Sequence, residues 1–574
     1  MLKYYQQELS NLREFAKEFS KKHPSAAPLL SAETSDPDVE RLLEGVAFLT
    51  ALLRKKIDDD LPELIHNLAE IIFPHTLRPI PSASIVSFTP KVVLQEKLII
   101  KKDVLLASNP VGETTCMFKT CFDLEVHPLK IESVKTVKEV GQKVKIVLKL
   151  NSKIPLSQLD IEKLQFFLGG SFAVSSELFM LLDTKLSRII IKPTQNGEMC
   201  VLDKRDLLPS GFSLENALIP FPEHVFSGFR MLEEYFILPH KFLFWEINGW
   251  KKWKNRGNGT SFEIIFEFEN ISSTFPKVSE ENFILYATPV INIFPMEAEP
   301  VSFDHTKDKI LIRPATEDLE YTQVYEVTEV TGYVEGSLEE IKYEPFNAFS
   351  DINEQKGVYH TIYTISPTTG KPKTYIRILY SDESKLSKQT LTVKLLCTNG
   401  EVPEKLRLGD ICKPTISCPE LVTFRNIIPV TSPIEPLLQK NKLWDFLSHL
   451  SLNLSSFANV EGVKKLLTFY AFPDSKDKIK VSANLKKIEG IESIEIKPAN
   501  RLVHGFMLMG TEIELTVRKD SFASFGDLYL FGSVLSEFFN QYSQLNSFTS
   551  LKIRDVITGD TIRWKEKIGK KSLI

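Results

Sequence analysis

The sequence predicts a multidomain α+β protein with an N-terminal helical region, β-rich middle domains and a C-terminal α+β domain. Apolar residues recur at helical spacing before residue 81, short β-branched runs dominate from 81 to 430, and both patterns alternate after 431. With 574 residues, the chain is also too long for a single hydrophobic core. The expected domains are 1–80, 81–210, 211–315, 316–430 and 431–574.

Three helices are predicted in the N-terminal region. The first runs from about Leu2 to Lys22 and ends before Pro24, because a residue that precedes proline disfavours the helical conformation. The second begins with Asp36 as its N-cap, followed by proline in the first helical position. The third is expected from about Pro62 to Ile72.

The second helix carries an almost uninterrupted apolar stripe, with members three or four residues apart on one face. Two interpretations remain open: the stripe forms a private core within the region, or another chain covers it. In the second case the stripe is a partner interface that consists of Leu42, Leu43, Val46, Leu49 and Leu53.

Between residues 81 and 430, the runs SASIVSFTP, EKLIIKK, KVKIVLKL and SRIIIKP predict strands. Helical interruptions are expected near Gln158 to Phe167, Ser175 to Leu182 and Ser227 to Tyr235. The polar, turn-rich stretch from Tyr321 to Gly370 predicts a loop-bearing β insertion.

The C-terminal region starts with a predicted linker that contains two prolines, from Thr431 to Lys442. LWDFLSHLSLNLSSF, VEGVKKLLTFY and residues from about Tyr529 to Tyr542 have helical spacing. IESIEIKP, FMLMGTEIELTV and FTSLKIRD predict strands, so this region is α+β.

Composition and charge exclude several classes of protein. The net charge of −4 argues against a nucleic-acid partner, because phosphate binding needs a concentrated basic surface. The N-terminus lacks the apolar core of a signal peptide. The longest apolar stretch, Phe283 to Met296, is too short for a bilayer. Six cysteines are too few for a disulfide framework in a chain of this length. Together, these features predict a reduced, cytoplasmic protein that does not insert into the membrane.

No motif for catalysis or cofactor binding is present in the sequence. The phosphate-binding loop, the dinucleotide fingerprint, the G-x-S-x-G elbow and the H-E-x-x-H pair are all missing. The spacings of Cys116, Cys121 and His127, and of Cys412 and Cys418, differ from the tight pairs of structural zinc sites. We expect buried cysteines and a surface histidine, with no metal, no cofactor and no catalytic pair. The acidic run Asp58, Asp59 and Asp60 is expected to be a solvated helix end.

One segment suggests a binding surface, because GWKKWKNRGNG interleaves Trp250 and Trp253 with lysines and an arginine. Aromatic rings beside cations can stack on single-stranded bases or lie in a membrane interface. The alternative is a hairpin tip between FLFWEI and FEIIFEFE, with solvated lysines and partly packed tryptophans. We favour the hairpin tip, because the chain offers no matching basic surface elsewhere.

Several long blocks, in order, resemble the TssF family of type VI secretion baseplate subunits, also called VasA or ImpG. The resemblance runs from about residue 4 to the C-terminus and is weakest between Thr316 and Thr390. The blocks are YYQQELSNLREFAKEFSKKHP, DPDVERLLEGVAFLTALLRKKIDDDLPEL, FPHTLRPIPSASIV, CMFKTCFDLEVHPLKI, FSGFRMLEEYFILPHKFLFWEING, ATPVINIFPMEAEPV, LLCTNGEVPEKL, LWDFLSHLSLN and LFGSVLSEFFNQYSQLNSFTSLKIR.

The resemblance implies a structural wedge subunit with no enzymatic activity. In that family, two TssF copies assemble with one TssG, and wedges join around the spike protein VgrG to form the platform for tube and sheath. TssE and TssK are the other baseplate partners, and TssK links the assembly to the inner-membrane complex. The alternatives are a wedge protein of a contractile phage tail, a β-rich hydrolase and a nucleic-acid binder that uses the Trp/Lys segment.

Overall fold

The structure of the chain is a computed structural model. The chain folds into two compact units, residues 1–77 with 437–448, and residues 78–436 with 449–574. The structure describes residues 5–6, 8–10, 12–13, 15–16, 38, 40–54, 74–139, 142–221, 227–271, 275–304, 306, 308–337, 340–346, 357–366, 370–379, 388–436, 459–503, 506–541, 543 and 547–569.

The first unit contains the first two predicted helices. The described residues between 5 and 16 are helical (α1), as are residue 38 and residues 40–54 (α2). An Arg13–Glu40 ion pair of 2.8 Å and an Arg54–Glu8 contact join the helices in antiparallel order. The predicted helices at 62–72 and 443–457 and the acidic run at 58–60 lie outside the described residues.

The second unit begins with a six-stranded sheet of order β24-β3-β4-β15-β1-β25. Its central strand β1 is antiparallel to both of its neighbours, β15 and β25. The sheet combines strands from three predicted domains, whose boundaries remain predictions. Its strands are β1 (Ala83–Pro90), β3 (Leu105–Ser108), β4 (Met117–Thr120), β15 (Ala287–Ile291), β24 (Ile411–Pro414) and β25 (Val422–Asn426); β2 (Leu98–Ile100) pairs separately with β5 (Leu124–Val126).

Two further antiparallel sheets follow, of order β10-β9-β13-β7-β6 and β11-β12-β8-β14. The first alternates buried and partly exposed positions along β13, as expected for a sheet with one covered face. The strands are β6 (Leu129–Glu139), β7 (Lys143–Ser152), β8 (Leu164–Phe167), β9 (Leu186–Pro193), β10 (Cys200–Asp203), β11 (Leu207–Pro209), β12 (Phe244–Ile247), β13 (Ser261–Phe268) and β14 (Ile284–Leu285).

The expected helix near Gln158 to Phe167 is wrong. A short 3₁₀ turn, Leu156–Gln158, is followed by strand β8, in which all four residues are buried. A strand that is covered on both faces has no period-two pattern, so its apolar run resembles a helix segment in sequence. The other two predicted interruptions are confirmed as α3 (Phe172–Thr184) and α4 (Ser227–Ile237).

The predicted β insertion contributes three neighbouring strands, β19, β20 and β21, to an eight-stranded sheet of order β16-β23-β19-β20-β21-β22-β18. Strand β17 pairs with β23 beside this path, and β20 and β21 are parallel. The strands are β16 (Phe294–Glu297), β17 (Val301–Phe303), β18 (Ile310–Leu311), β19 (Gln323–Val334), β20 (Glu340–Pro345), β21 (Val358–Ile365), β22 (Pro372–Leu379) and β23 (Gln389–Thr398).

The C-terminal region is α+β, and its three predicted strands are confirmed. The parallel strands β27 and β28 are connected through α7, a helix that is buried along nearly its whole length and begins four residues earlier than predicted. The elements are α5 (Val460–Tyr470), α6 (Lys478–Glu489), β26 (Ile491–Val503), β27 (Phe506–Val517), α7 (Phe525–Asn540), β28 (Phe548–Asp555), β29 (Thr561–Arg563) and β30 (Lys567–Ile568).

Across the part of the chain that the structure describes, no helix combines the length and apolar character needed to cross a bilayer.

Candidate interaction surface

The apolar stripe of α2 faces outward over most of its length. Leu42 is 68% exposed, Leu49 61%, Leu53 62% and Val46 43%, whereas Leu43 is half-buried. Phe48 and Leu52 lie beside them and are also exposed. A row of large aliphatic side chains in water is unfavourable, because each loses the benefit of burial. This face of α2 is therefore an exposed apolar surface on a described helix.

On the side of α2 opposite the stripe, the buried residues are small. Ala47 and Ala51 have no solvent exposure, so the helix buries its alanines and exposes its leucines. A private core requires the reverse arrangement. Gly45 lies within the exposed face, and a Cβ added there would meet no atom within 4 Å. A glycine inside a helix costs stability unless another backbone approaches it closely.

The Trp/Lys segment is packed into the protein. Trp250 has no solvent exposure and Trp253 is 2% exposed, and their indole N–H groups donate to the carbonyls of Ile247 and Glu198 at 2.8 Å. The Arg256 guanidinium donates to backbone carbonyls and lies 5.6 Å from the Trp253 ring. These rings have no face available for stacking on bases or for entering a membrane.

The predicted hairpin tip is nevertheless wrong. The strand before the segment, β12, belongs to the four-stranded sheet, whereas the strand after it, β13, belongs to the five-stranded sheet. The segment is therefore a crossover between two sheets. Lys252 donates to both carboxylate oxygens of Asp206, at 2.8 and 2.6 Å, which anchors the crossover to the turn before β11.

A buried ionic cluster, which the sequence analysis missed, holds α4 in place. Glu234 accepts hydrogen bonds from Lys241 Nζ at 2.6 Å and from the backbone N–H of Leu218 at 2.7 Å. The Arg230 Nε lies 3.7 Å from the same carboxylate. Burial lowers the pKa of Lys241. The sequence feature that could have revealed this cluster is the mostly apolar run FRMLEEYF, in which Glu233 and Glu234 have apolar neighbours on both sides.

Glu233 has a different environment from its neighbour. Its side chain is 3% exposed, and its Oε2 has no hydrogen-bond partner within the described residues. Burial, together with the Glu234 carboxylate, raises the pKa of Glu233 to about 8. A buried acid with a raised pKa beside a second acid resembles an acid–base pair. Both side chains are buried inside the packed helix, so the pair serves the fold.

A second buried polar contact joins the C-terminal region to α4. Lys487 Nζ donates to Asp527 Oδ1 at 2.7 Å and to the Tyr235 hydroxyl at 3.2 Å. Burial and the Asp527 charge raise the pKa of Tyr235 well above its usual value. Lys487, Asp527 and Tyr235 lie on α6, α7 and α4, respectively, so their contact fixes these three helices relative to one another.

The cysteines have the character of core residues. All six are free thiols, and Cys412 is half-buried while the others are buried. Burial raises the pKa of Cys121 and Cys397 to about 12 and of Cys116 to about 11, so none of these three thiols is a ready nucleophile. Within the described ranges, no three His, Cys, Asp or Glu side chains are placed to hold a metal ion.

The prediction that His127 lies at the surface is wrong. His127 is 1% exposed and lies between β5 and β6, with its ring 6.5 Å from that of Tyr286. Its Nε2 is 3.6 Å from a Glu125 oxygen. The turn between two strands points this side chain inward, which sequence spacing alone does not reveal.

Comparison with known proteins identifies relatives over the full chain. The family model "Type VI secretion system, TssF" matches residues 1–571. The type VI secretion system component TssF1 of Pseudomonas aeruginosa is 27% identical over 625 residues, which cover 100% of this chain and 99% of the relative.

Two solved assemblies contain chains of similar structure. A chain of the TssK-TssF-TssG baseplate subcomplex, determined by cryo-electron microscopy, is 28% identical with a TM-score of 0.79. The match covers 93% of this chain and 100% of that one. A chain of the type VI secretion baseplate complex is 26% identical with a TM-score of 0.62, and both chains are covered completely.

Proposed function

The chain belongs to the TssF family of the type VI secretion system, a structural and not an enzymatic family, and on that premise we propose that it is a wedge subunit of the baseplate. The solved subcomplex that it resembles contains TssK and TssG, which supports the same two partners for this chain. The proposal extends to a second copy of the chain, TssE and the spike protein VgrG. The assembly would lie in the cytoplasm, docked to the inner-membrane complex through other subunits.

We assign TssG to the exposed face of α2. The supporting observation is that Leu42, Leu49 and Leu53 are more than half exposed while Ala47 and Ala51 are buried. A partner helix laid along this face would remove those leucines from water, and each fully buried leucine contributes about 1.5–3 kcal/mol. Permanent assemblies typically use such large apolar interfaces.

The function that follows is mechanical. A wedge holds the platform on which tube and sheath are built, so its contribution consists of interfaces and not of a reacting group. Packed interfaces have discrete alternative arrangements, which allows a ring of wedges to change shape when the sheath contracts.

The test is co-purification of the chain with its cognate TssG after Leu49→Asp. Because Leu49 is 61% exposed, the isolated variant should keep its fold, while a buried aspartate at the interface should weaken the complex at least about tenfold. Leu408→Asp is the matched control, since Leu408 is 60% exposed and lies outside α2.

Two results would contradict the proposal. Retention of TssG by the Leu49→Asp variant at the unmodified level would remove α2 as the interface. Failure of the unmodified chain to bind either TssG or TssK would remove the wedge role and the two partners proposed with it.

A further inference from the structure

Two tight turns at one end of the six-stranded sheet display exposed aliphatic side chains. Ile416 is fully exposed, Val92 is 85% exposed, Val93 74% and Leu421 38%. We call these four residues the apolar tip. They are distinct from the α2 residues, and the inference drawn from them does not depend on the wedge proposal.

The sheet topology brings the two turns to the same end. The turn with Val92 and Val93 follows β1, whereas the turn with Ile416 connects β24 to β25. Those two strands are the outer strands of the sheet, and Asn426 on β25 accepts from the N–H of Gly409 at 3.1 Å and of Ile411 at 3.0 Å. The Lys91 N–H donates to the Leu421 carbonyl at 2.9 Å, which joins the two turns.

Hydrogen bonds hold both turns in place. The N–H of Leu94 donates to the Lys91 carbonyl at 3.1 Å, and the N–H of Cys418 donates to the Thr415 carbonyl at 3.1 Å. Thr415 Oγ1 also donates to the Leu105 carbonyl at 2.6 Å. Leu94 and Cys418 are buried, so each turn is anchored at its last residue.

Local structure does not explain the residues at the centre of these turns. Central turn positions favour Gly, Pro, Asn, Asp and Ser, each for a conformational reason. Here valines and an isoleucine occupy them, and β-branched side chains gain nothing from this geometry. Exposed aliphatic residues on an anchored turn have a cost in water, which a partner surface would offset.

The surroundings of the apolar tip are basic. Five exposed lysines lie on or beside these loops, and none of them forms an ion pair within the described part of the chain. Four exposed acids share the same loops, and one of them, Asp103, is paired at 2.9 Å with a further, partly buried lysine, Lys119. The five exposed lysines outnumber these acids, so the rim is net positive in a chain of net charge −4. The lysines are Lys91, Lys101, Lys102, Lys153 and Lys413, and the acids are Glu96, Asp103, Asp123 and Glu420.

We propose that the apolar tip docks an acidic segment of a partner protein, one that presents aliphatic side chains between its carboxylates. The aliphatic residues would supply buried area and the lysines would steer the acidic partner. A membrane surface fits less well, because interfacial anchors are typically Trp and Tyr and the two turns contain neither.

The experiment measures binding of the full chain to a labelled helical peptide with leucines on one face and glutamates on the other. A peptide with lysines in place of the glutamates, and one with serines in place of the leucines, serve as the comparison probes. The expected result is tighter binding of the leucine–glutamate peptide by at least about tenfold, weakened by added salt.

Ile416→Asp and Val93→Asp should each weaken this binding at least about fivefold, and both positions are exposed, so both variants should fold. Ile557→Asp, at a 62% exposed turn position, is the matched control and should bind unchanged. Equal binding of all three peptides, or full binding by Ile416→Asp, would overturn the proposal. Tip-dependent binding of phosphatidylglycerol vesicles without peptide binding would also overturn it and assign the surface to a membrane.

Discussion

Lys241 Nζ lies 2.6 Å from Glu234 Oε2, and neither side chain has any solvent exposure. The second carboxylate oxygen accepts the N–H groups of Leu218 and Ile219, at 2.7 and 3.3 Å. Two charges removed from water are tolerated only when their hydrogen bonds are made in full. The pair therefore ties the segment before α4 and the turn after it to the helix.

Removing one partner should be worse than removing both. Lys241→Met leaves a buried carboxylate and Glu234→Gln leaves a buried ammonium, so each should cost about 3–5 kcal/mol. The double variant should therefore cost less than either single change alone. Thermal and urea unfolding of all four proteins measures the coupling, and strictly additive losses would contradict this account of the pair.

The neighbouring Glu233 should make stability depend on pH. Its pKa in the folded protein is about 8, above the usual 4.5, because burial and the Glu234 charge disfavour ionisation. The folded chain then holds a proton that the unfolded chain releases, so stability should fall as pH rises from about 4.5 to about 8. Glu233→Gln should flatten this fall in the unfolding midpoint, whereas Glu420→Gln, at an exposed acid, should not. An unchanged pH profile in Glu233→Gln would contradict the assignment.

Periodic elements were predictable from the sequence, and fully buried ones were not. The helix over 460–470 and the strands over 143–152 and 186–193 have regular patterns, because each has one covered face. Strand β8 is buried on both faces, so its sequence has no regular alternation of apolar and polar residues. The Trp/Lys crossover was missed because adjacency in sequence suggested a hairpin, whereas its flanking strands pair with distant partners.

The sequence predicts which residues form the stripe on α2, but it does not predict whether that stripe is exposed. Spacing shows which residues share a face of α2, and it cannot distinguish a private core from a shared one. The exposure of Leu49 beside the burial of Ala47 favours the shared arrangement, which stays a proposal. The apolar tip has no periodicity, because its residues come from two turns more than 300 positions apart in the chain.

Trp253→Ala should destabilise the protein and should not change its affinity for DNA. The ring is 2% exposed and packs 5.5 Å from that of Phe262, so its removal should cost about 3–5 kcal/mol. Lys251→Ala, at an exposed position of the same segment, should change stability by less than about 0.5 kcal/mol. Unfolding midpoints and single-stranded DNA binding at low salt test both statements. A stable Trp253→Ala variant that loses DNA binding would revive the nucleic-acid interpretation.

Gly526→Ala should be destabilising although alanine is the better helix former. A Cβ at this position of α7 would lie 2.2 Å from the Glu177 nitrogen and 2.4 Å from the Ser176 oxygen of α3. Backbone at that distance cannot move aside without separating the two helices, so a loss of about 1–3 kcal/mol is expected. Unfolding midpoints measure it, and an unchanged or raised midpoint would show that α3 and α7 are not in such close contact.

Gly45→Ala on α2 should have the opposite effect on the isolated chain. Nothing lies within 4 Å of the added Cβ, so the helix should gain about 1 kcal/mol from the better helix former. If a TssG helix approaches the α2 face closely at Gly45, the same methyl group should weaken TssG binding, so that stability rises while affinity falls. Thermal unfolding of the free chain and titration with TssG measure the two effects separately.

Glu44→Ala, which changes the adjacent residue outside the stripe, is the control and should leave the affinity unchanged. A Gly45→Ala variant that gains stability and keeps full affinity would mean that the partner contacts the leucines without close backbone approach at Gly45.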